Sequence, residues 1–233
     1  MIVPIILISL GGLAVFCFLF EKIKAYSVKA VCIKAVASLF FVSLAAYGLY
    51  NAEHHIFPLF AVIALVLGML GDIALDLKYV FKEKDYEFTV AGFVVFGLGH
   101  ILYITGMFLE FYHDQNVLYI IVPIILAVAM GPITLFVGKL SKAQYGRFKW
   151  IALVYAMTLF GTSFTAFSLW MMVGFANTGL LLVFIGGILF AVSDLILNLT
   201  YFGVGHEKPF DIISNTMTYY AAQFLIALAI LFI

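Results

Sequence analysis

The sequence has very little charge for its length. Of its 233 residues only 10% are charged, whereas 66% are hydrophobic and the mean hydropathy is +1.19. A soluble domain carries about 25% charged residues and about 45–50% apolar ones, so this chain cannot cover a globule in water. Disorder is excluded as well, because disordered chains are poor in aromatic residues and this one has 25 Phe and 13 Tyr. The composition indicates an integral membrane protein.

Cysteine and histidine are also scarce. Only Cys17 and Cys32 occur, both in or beside apolar runs, so no disulfide framework is predicted. The five histidines include no pair with metal-ligand spacing inside an apolar run, and we expect neither a metal nor another cofactor. The 12 basic and 12 acidic residues give zero net charge, which argues against nucleic acid as a partner.

Eight apolar runs are each long enough to cross a bilayer, for which a helix needs about 20 residues. The predicted spans are residues 2–20, 30–50, 57–77, 88–109, 117–138, 150–171, 179–202 and 211–232. Their connections are short, so the sequence predicts an all-α integral membrane protein with one eight-span transmembrane domain over residues 1–233. The first run lacks a basic leader and an A-x-A-type cleavage site, which favours a retained span over a signal peptide.

Basic residues are distributed unevenly among the connections, and this predicts the orientation. Eleven of the twelve follow odd-numbered spans: Lys22, Lys24, Lys29, Lys78, Lys82, Lys84, Lys139, Lys142, Arg147, Lys149 and Lys208. The connections after spans two, four and six have none. By the positive-inside rule the odd-numbered connections are cytoplasmic, so both termini are predicted to be non-cytoplasmic. Short loops without an appended domain favour a bacterial inner membrane.

An internal similarity suggests two related halves. Span three contains G-D-I-A-L-D-L at residues 71–77, and span seven contains S-D-L-I-L-N-L at residues 193–199. Asp194 follows Asp72 by 122 residues, and Asn198 follows Asp76 by the same number. This fits two four-helix halves in parallel repeat. Chance similarity in a low-complexity apolar alphabet is the alternative.

Four ionisable residues lie inside the apolar runs, namely Lys34, Asp72, Asp76 and Asp194. An ionised Asp near the bilayer centre costs about 2.5–3.5 kcal/mol, so such residues are retained where they face a bundle interior or an aqueous cavity. At 1.5 Å per residue, Asp72 lies about 9 Å and Asp194 about 12 Å from the predicted cytoplasmic ends of their spans. We therefore predict a buried polar chamber with carboxyl groups from two helices in the cytoplasmic half of the membrane.

Further polar residues are predicted to line this chamber beside Asp72 and Asp194. They are Lys34, Asp76, His100, Tyr103, Tyr155, Asn198, Tyr219 and Gln223. The spacing of four residues puts Asp76 on the face of Asp72 and Asn198 on that of Asp194. His100, Tyr103 and Gln223 lie nearer the midplane, where we expect them to form the deeper wall.

Each of these residues also has a structural interpretation. The aspartates can fix helix packing, Asp76 can be solvated near the interface, and Lys34 can extend to the lipid headgroups. A lone His100 is more often a hydrogen-bonded packing residue than an acid or base. The pairs Gly11-Gly12 and Gly186-Gly187 are expected to permit close helix approach.

At these motifs the sequence resembles the lysoplasmalogenase family, the YhhN-like multi-span membrane proteins. The similarity rests on G-D-I-A-L-D-L in span three, G-H-I-L-Y-I in span four, F-A-V-S-D-L-I-L in span seven and Y-Y-A-A-Q in span eight. The resemblance implies eight spans and two catalytic intramembrane aspartates, which fall on Asp72 and Asp194. The Lys-Pro pair that the family tends to have near the start of span two is not matched, because Lys34 is followed by Ala35.

The resemblance further implies hydrolysis of the vinyl ether of a lysoplasmalogen to a fatty aldehyde and glycerophospho-ethanolamine or -choline. Protonation of the β-carbon of such an ether leaves an oxocarbenium ion, which water captures. In glycosidases, whose transition state is similar, a protonated carboxyl donates the proton and a carboxylate stabilises the cation. Asp72 and Asp194 can take these two roles in either order. The expected partners are the lysophospholipid, water and membrane lipids, and Lys34 would meet the substrate phosphate if it turned inward.

A proton- or cation-coupled small-molecule transporter is the main alternative, since the same carboxyl groups would load and release ions. Against it, no span is clearly broken at the polar layer, although Met130-Gly131-Pro132 could kink span five. An intramembrane aspartyl protease is disfavoured because its G-x-G-D element is not met. A zinc-dependent lipid hydrolase would need several buried histidines, and only His100 qualifies.

Overall fold

The computed structural model describes residues 2–53, 55–113, 116–203 and 208–233, and these segments are helical without a strand. Eight helices are long and apolar enough to cross a membrane, which confirms the all-α class and the predicted number of spans. They are α1 (Ile2–Lys24), α2 (Val28–Asn51), α3 (Ile56–Val80), α4 (Asp85–Phe111), α5 (Leu118–Leu140), α6 (Lys149–Met172), α7 (Thr178–Phe202) and α8 (Pro209–Ala229). Short 3-10 turns lie at Lys82–Lys84, Gly146–Phe148 and Ile230–Phe232.

The helices extend beyond the predicted apolar runs at several ends. An apolar run marks the hydrocarbon layer, whereas a helix continues until its backbone is capped. Ser27 and Asn177 cap α2 and α7, each accepting a hydrogen bond from an amide of the first turn. α4 begins at Asp85 and α1 continues to Lys24, so Lys22 belongs to a helix and not to a connection.

The helix contacts repeat along the chain. α1 packs on α2, α2 on α3, α3 on α4 and α4 on α6. Four helices further along, α5 packs on α6, α6 on α7, α7 on α8 and α8 on α2. These are the pairings that two four-helix halves in parallel repeat would produce, and the repeat itself stays a prediction. α5, which contains Pro123 and Pro132, continues as one helix through both prolines.

Seven of the eight described helices contribute to the apolar core, and α5 contributes none of its residues. The largest fully buried side chains of this core include Phe41, Phe57, Leu65, Leu180 and Ile226. α5 is the least buried helix of the described chain, and α6 and α8 are the most buried. Because lipid covers the outer faces of a membrane bundle, polar side chains on the inner helices have to find their partners inside it.

Close helix approach depends on glycine at three of the four predicted positions. A β-carbon on Gly186 would lie 2.8 Å from the Ile226 side chain, which joins α7 to α8. Gly187 and Gly11 are crowded in the same way by side chains of neighbouring helices. The prediction was wrong for Gly12, since nothing lies within 4 Å of a β-carbon there.

Candidate active site

A buried cavity lies between the helices that carry the predicted carboxyl groups, and we call it the carboxyl cavity. The volume that the centre of a water molecule can occupy in it is about 80 Å³. A single water needs about 10–15 Å³ by the same measure. Its polar lining is Lys22, Lys34, Asp72, Asp76, Thr134, Tyr155, Ser193, Asp194, Asn198, Tyr201, Asn215, Thr216, Tyr219 and Tyr220. The cavity therefore has room for a small reacting group together with water.

Asp72 and Asp194 occupy equivalent positions on two helices of equal length. α3 and α7 each contain 25 residues. Asp72 follows Ile56, the first residue of α3, by 16 positions, and Asp194 follows Thr178, the first residue of α7, by 16. Since a helix rises by a fixed amount per residue, the two carboxyl groups reach the cavity after the same length of helix.

Three donors converge on the carboxylate of Asp72. Ser38 Oγ donates to Oδ2 at 2.6 Å and Tyr219 Oη donates to the same oxygen at 2.8 Å. Lys34 Nζ lies 3.2 Å from Oδ1, and the Asp72 side chain is only 3% exposed. Hydrogen bonds to a carboxylate are shorter and stronger than those between neutral groups. They hold Asp72 in one orientation, and Lys34 compensates its negative charge.

Asp76, one turn along α3, shares these lysines. Lys22 Nζ donates to Asp76 Oδ1 at 2.9 Å, and Lys34 Nζ lies 3.6 Å from the same oxygen. The Lys22, Lys34 and Asp76 side chains are 13%, 11% and 6% exposed. The two carboxylates Asp72 and Asp76 and the two ammonium groups thus form one buried, electrically balanced cluster. Neither solvation of Asp76 at the interface nor extension of Lys34 to the headgroups is observed.

Two aromatic hydroxyl groups of α8 connect this cluster to the core. Gln223 Nε2 donates to Tyr219 Oη at 2.8 Å, and Tyr219 Oη in turn donates to Asp72. Tyr220 Oη lies 3.1 Å from Ser38 Oγ and donates to the carbonyl oxygen of Lys34 at 3.2 Å. The hydroxyls of Ser38, Tyr219 and Tyr220 each have a fixed hydrogen-bond partner. The position of Asp72 is therefore determined by residues from α2, α3 and α8 together.

Asp194 has a different environment. The hydroxyl of Tyr155, on α6, donates to Asp194 Oδ2, and the Tyr155 ring packs against Phe93 at 5.2 Å between centroids. No lysine, arginine or histidine of the described chain forms an ion pair with Asp194. A negative charge on Asp194 would therefore have only a phenol to stabilise it, whereas that on Asp72 has an ammonium group.

The remaining wall of the cavity is apolar. It is formed by Leu75, Phe93, Phe96, Ala152, Ala156, Leu159, Phe160, Leu195, Leu197 and Phe202. Phe96 packs edge-on against Tyr219, at 6.1 Å between ring centroids, so the aromatic wall adjoins the hydroxyl that contacts Asp72. An alkyl chain that entered this side of the cavity would meet no unpaired charge.

Seven of the ten predicted site residues line the carboxyl cavity, and three do not. His100 is fully buried behind it, where Nδ1 lies 3.0 Å from Thr162 Oγ1. Tyr103 is buried beside His100, with 6.1 Å between the ring centroids. Gln223 acts only through Tyr219. The structure does not place these three in the cavity lining: the rings of Tyr155 and Phe190 pack against His100, and Gln223 lies behind Tyr219.

Three residues that contact the carboxyl groups or their partners were not predicted from the sequence, namely Lys22, Ser38 and Tyr220. Lys22 was interpreted only as a topology signal after span one, yet it follows Val15 and Phe18 at positions that share one buried face of α1. Continuing that helical periodicity past the apolar run would have found it. Ser38 lies four residues after Lys34, on the same helix face. Tyr220 adjoins Tyr219, and no spacing rule singles it out.

Eight spanning helices around a buried cluster of carboxyl, ammonium and hydroxyl groups define a polytopic membrane protein with a polar site inside the bundle. The profile of the YhhN family matches residues 29–230, and the chain belongs to this family, which includes lysoplasmalogenases. The match covers α2 from its second residue to the end of α8 and includes all three aspartates of the cavity. No curated protein and no solved structure matches the chain significantly.

Proposed function

We propose that the protein is a membrane-embedded lysoplasmalogenase, an ether hydrolase that cleaves the vinyl ether of a lysophospholipid. The products are a fatty aldehyde and glycerophospho-ethanolamine or -choline. The observation that carries this proposal is the pair of aspartates at equivalent positions of α3 and α7, which line one cavity in unlike surroundings. Family membership supports the same reaction class.

Asp194 is the acid in this proposal. It lacks a cationic partner among the described residues, and a buried carboxyl without one is most easily accommodated when it carries a proton. The protonated Asp194 transfers its proton to the vinyl carbon that is not bonded to oxygen. The electron pair of the double bond forms the new C–H bond, and the other carbon becomes part of an oxocarbenium ion. Asp194 is left as a carboxylate beside this cation.

Asp72 presents a fixed carboxylate oxygen to the developing cation, while Lys34 stays paired with its other oxygen. Its two oxygens are held by Ser38, Tyr219 and Lys34, so no rearrangement is needed as the charge forms, which is the condition for electrostatic stabilisation of a transition state. Water then adds to the oxocarbenium carbon, and its proton returns to Asp194, as in glycosidases whose acid becomes the base of the second step. The hemiacetal collapses by breaking its carbon–oxygen bond to glycerol, whose oxygen takes the hydroxyl proton.

The decisive experiment uses purified protein in detergent with a lysoplasmalogen and with its ester analogue, measuring released aldehyde and fatty acid. We expect aldehyde from the vinyl ether and no fatty acid from the ester. Failure to release aldehyde would overturn the proposed activity. Turnover in detergent also separates the hydrolase from a coupled transporter, because a transporter needs a sealed membrane and a gradient.

The connections between helices support further proposals, because they are short and only the odd-numbered ones carry basic residues. We propose that both termini face away from the cytoplasm, that the carboxyl cavity lies in the cytoplasmic half of a bacterial inner membrane, and that residues 1–233 form one transmembrane domain. The positive-inside rule supports the orientation. Water and membrane lipids are the other expected partners.

A further inference from the structure

A second cavity adjoins the carboxyl cavity, and we call it the basic cavity. It measures about 260 Å³ on the same scale and is lined by Lys78, Asp85, Thr89, Gln144, Tyr145, Gly146, Arg147, Phe148, Tyr201 and Phe202. Tyr201 and Phe202, at the end of α7, line both cavities. The two cavities therefore share a wall at the end of α7.

Lys78 brings a mostly buried cation to the basic cavity. Its side chain is only 10% exposed, and its ammonium group lies 3.3 Å from the centroid of the Tyr201 ring. Asp85 Oδ1 is 3.8 Å away, at the limit of an ion pair, and the Asp85 side chain is 48% exposed. An ammonium group at this depth keeps capacity for a closer anion, because its existing carboxylate contact is long and half solvated.

Arg147 adds a second cation from the turn before α6. Its guanidinium lies 4.0 Å from the centroid of the Tyr86 ring, a cation–π contact, and Arg147 lines the basic cavity. Within the described part of the chain, Arg147 has no carboxylate partner. Lys78 and Arg147 are opposed by Asp85 alone among the described lining residues, so the basic cavity has an excess of positive charge.

The lysines of the carboxyl cavity are not available for an anion from a ligand. Lys34 is paired with Asp72 and Asp76, and Lys22 is paired with Asp76. The expectation that Lys34 would meet the substrate phosphate is therefore not supported by its contacts. A phosphorylated ligand in this bundle would find its uncompensated cations in the basic cavity instead.

The geometry points to the basic cavity as a binding site for the phosphodiester of a lysophospholipid headgroup, held by Lys78 and Arg147 while the vinyl ether lies in the carboxyl cavity beyond Tyr201 and Phe202. This assignment rests on the proposed hydrolase function. In such a ligand six bonds separate the phosphorus from the first vinyl carbon, about the length of two extended residues or roughly 7 Å. Lys78 follows Asp72 by six residues, or about 9 Å of helix, so the rise along α3 between these two residues is comparable with the length of that part of the ligand.

The site is tested by binding, so that no turnover is needed. The probes are a saturated 1-O-alkyl lysophosphoethanolamine, which has no vinyl bond to protonate, the matching 1-O-alkylglycerol without phosphate, and inorganic phosphate, all titrated calorimetrically in a phosphate-free detergent. Arg147→Gln and Lys78→Gln remove the two cations. Lys149→Gln is the matched control, since Lys149 is exposed, two residues from Arg147 and outside both cavities.

We expect each cavity variant to weaken binding of the alkyl lysophospholipid by about tenfold or more, since each loses a charge-assisted contact. Binding of the alkylglycerol should be unchanged in both, and Lys149→Gln should match the wild type throughout. Because Arg147 is exposed, Arg147→Gln carries the test even if Lys78→Gln does not fold.

Unchanged lysophospholipid binding in Arg147→Gln would overturn the inference, and so would an equal loss for the alkylglycerol. Inorganic phosphate that binds as tightly as the lysophospholipid would assign the cavity to free phosphate and overturn the headgroup role. If the phosphate-dependent binding is found but no aldehyde is released from a lysoplasmalogen, the site stands and the proposed reaction fails. If aldehyde is released but neither variant alters binding, the proposed reaction stands and the headgroup site fails.

Discussion

Asp72 and Asp194 occupy the same position on two helices but have different electrical surroundings, and substitution should reveal the difference. Asp72→Asn leaves two ammonium groups for the single carboxylate of Asp76. Breaking a buried ion pair from one side costs about 3–5 kcal/mol. Asp194→Asn loses one phenol hydrogen bond, worth about 0.5–1.5 kcal/mol. We expect the thermal unfolding midpoint in detergent to fall much further for Asp72→Asn.

The double variant Asp72→Asn with Lys34→Met provides the control for charge balance. It removes the carboxylate and its nearest ammonium together, so it should recover part of the unfolding midpoint lost in Asp72→Asn. Equal midpoints for the two single Asp→Asn variants would contradict the interpretation that Lys34 and Lys22 balance Asp72 and Asp76.

Activity should respond in a different order from stability. Asp194→Asn removes the transferable proton, and loss of a general acid lowers rates by about 10²–10⁴-fold. We expect aldehyde release to fall by that factor while the unfolding midpoint stays near that of the wild type. Tyr155→Phe is the companion variant, because it removes the hydrogen bond to Asp194 but not the proton. A fully active, folded Asp194→Asn protein would exclude Asp194 as the acid.

The residues of the site could be predicted from sequence only in part. Asp72, Asp194 and Lys34 are recognisable because a charge inside an apolar run has a cost that only a buried partner offsets. Which lysine meets which aspartate depends on how α1, α2 and α3 pack, and no periodicity within one helix contains that information. For His100 the sequence indicated the depth of the residue in its helix but not the direction of its side chain. That direction is set by packing against Phe190, at 4.8 Å between the ring centroids.

At the scale of the helix, the glycines of α7 and α1 allow a matched comparison. Gly186→Ala would bring a β-carbon within 2.8 Å of Ile226 and 3.1 Å of the Ala222 carbonyl oxygen, so α7 and α8 would have to separate. Gly12→Ala meets nothing within 4 Å and gains helix propensity of up to about 1 kcal/mol. We expect the unfolding midpoint to fall for Gly186→Ala and to stay equal or rise for Gly12→Ala.

A midpoint for Gly12→Ala that fell as far as that for Gly186→Ala would mean that both glycines are needed for the helix backbone and not for contact between helices.

The sequence could not distinguish Gly12 from Gly186, because each belongs to a Gly-Gly pair in an apolar run. By contrast, all eight helices were predictable, since the hydrocarbon thickness imposes a length that chance rarely produces. Their ends were less predictable because caps such as Ser27 and Asn177 lie outside the apolar pattern.

For the whole molecule, the predicted repeat would explain why two aspartates occupy equivalent positions. If α1–α4 and α5–α8 are parallel repeats, Asp72 and Asp194 descend from one ancestral position. The lysines of α1 and α2 then make the two halves chemically different. The corresponding helices α5 and α6 contribute Thr134 and Tyr155 to the cavity instead of ammonium groups. This difference in lining gives Asp72 an ammonium partner and Asp194 a phenol.

The orientation of the bundle is the remaining whole-molecule prediction, and it decides which leaflet supplies the substrate. The native cysteines are first removed by Cys17→Ser and Cys32→Ser. In this background Glu53→Cys reports on the connection after α2, and Lys84→Cys reports on the connection after α3. The native side chains at both positions are exposed. The positive-inside rule predicts that a membrane-impermeant maleimide labels Glu53→Cys in intact cells and Lys84→Cys only after permeabilisation. The reverse pattern would contradict it. Because Lys78 and Asp85 line the basic cavity on the Lys84 side, the predicted pattern means that the phosphate of the substrate binds from the cytoplasmic leaflet.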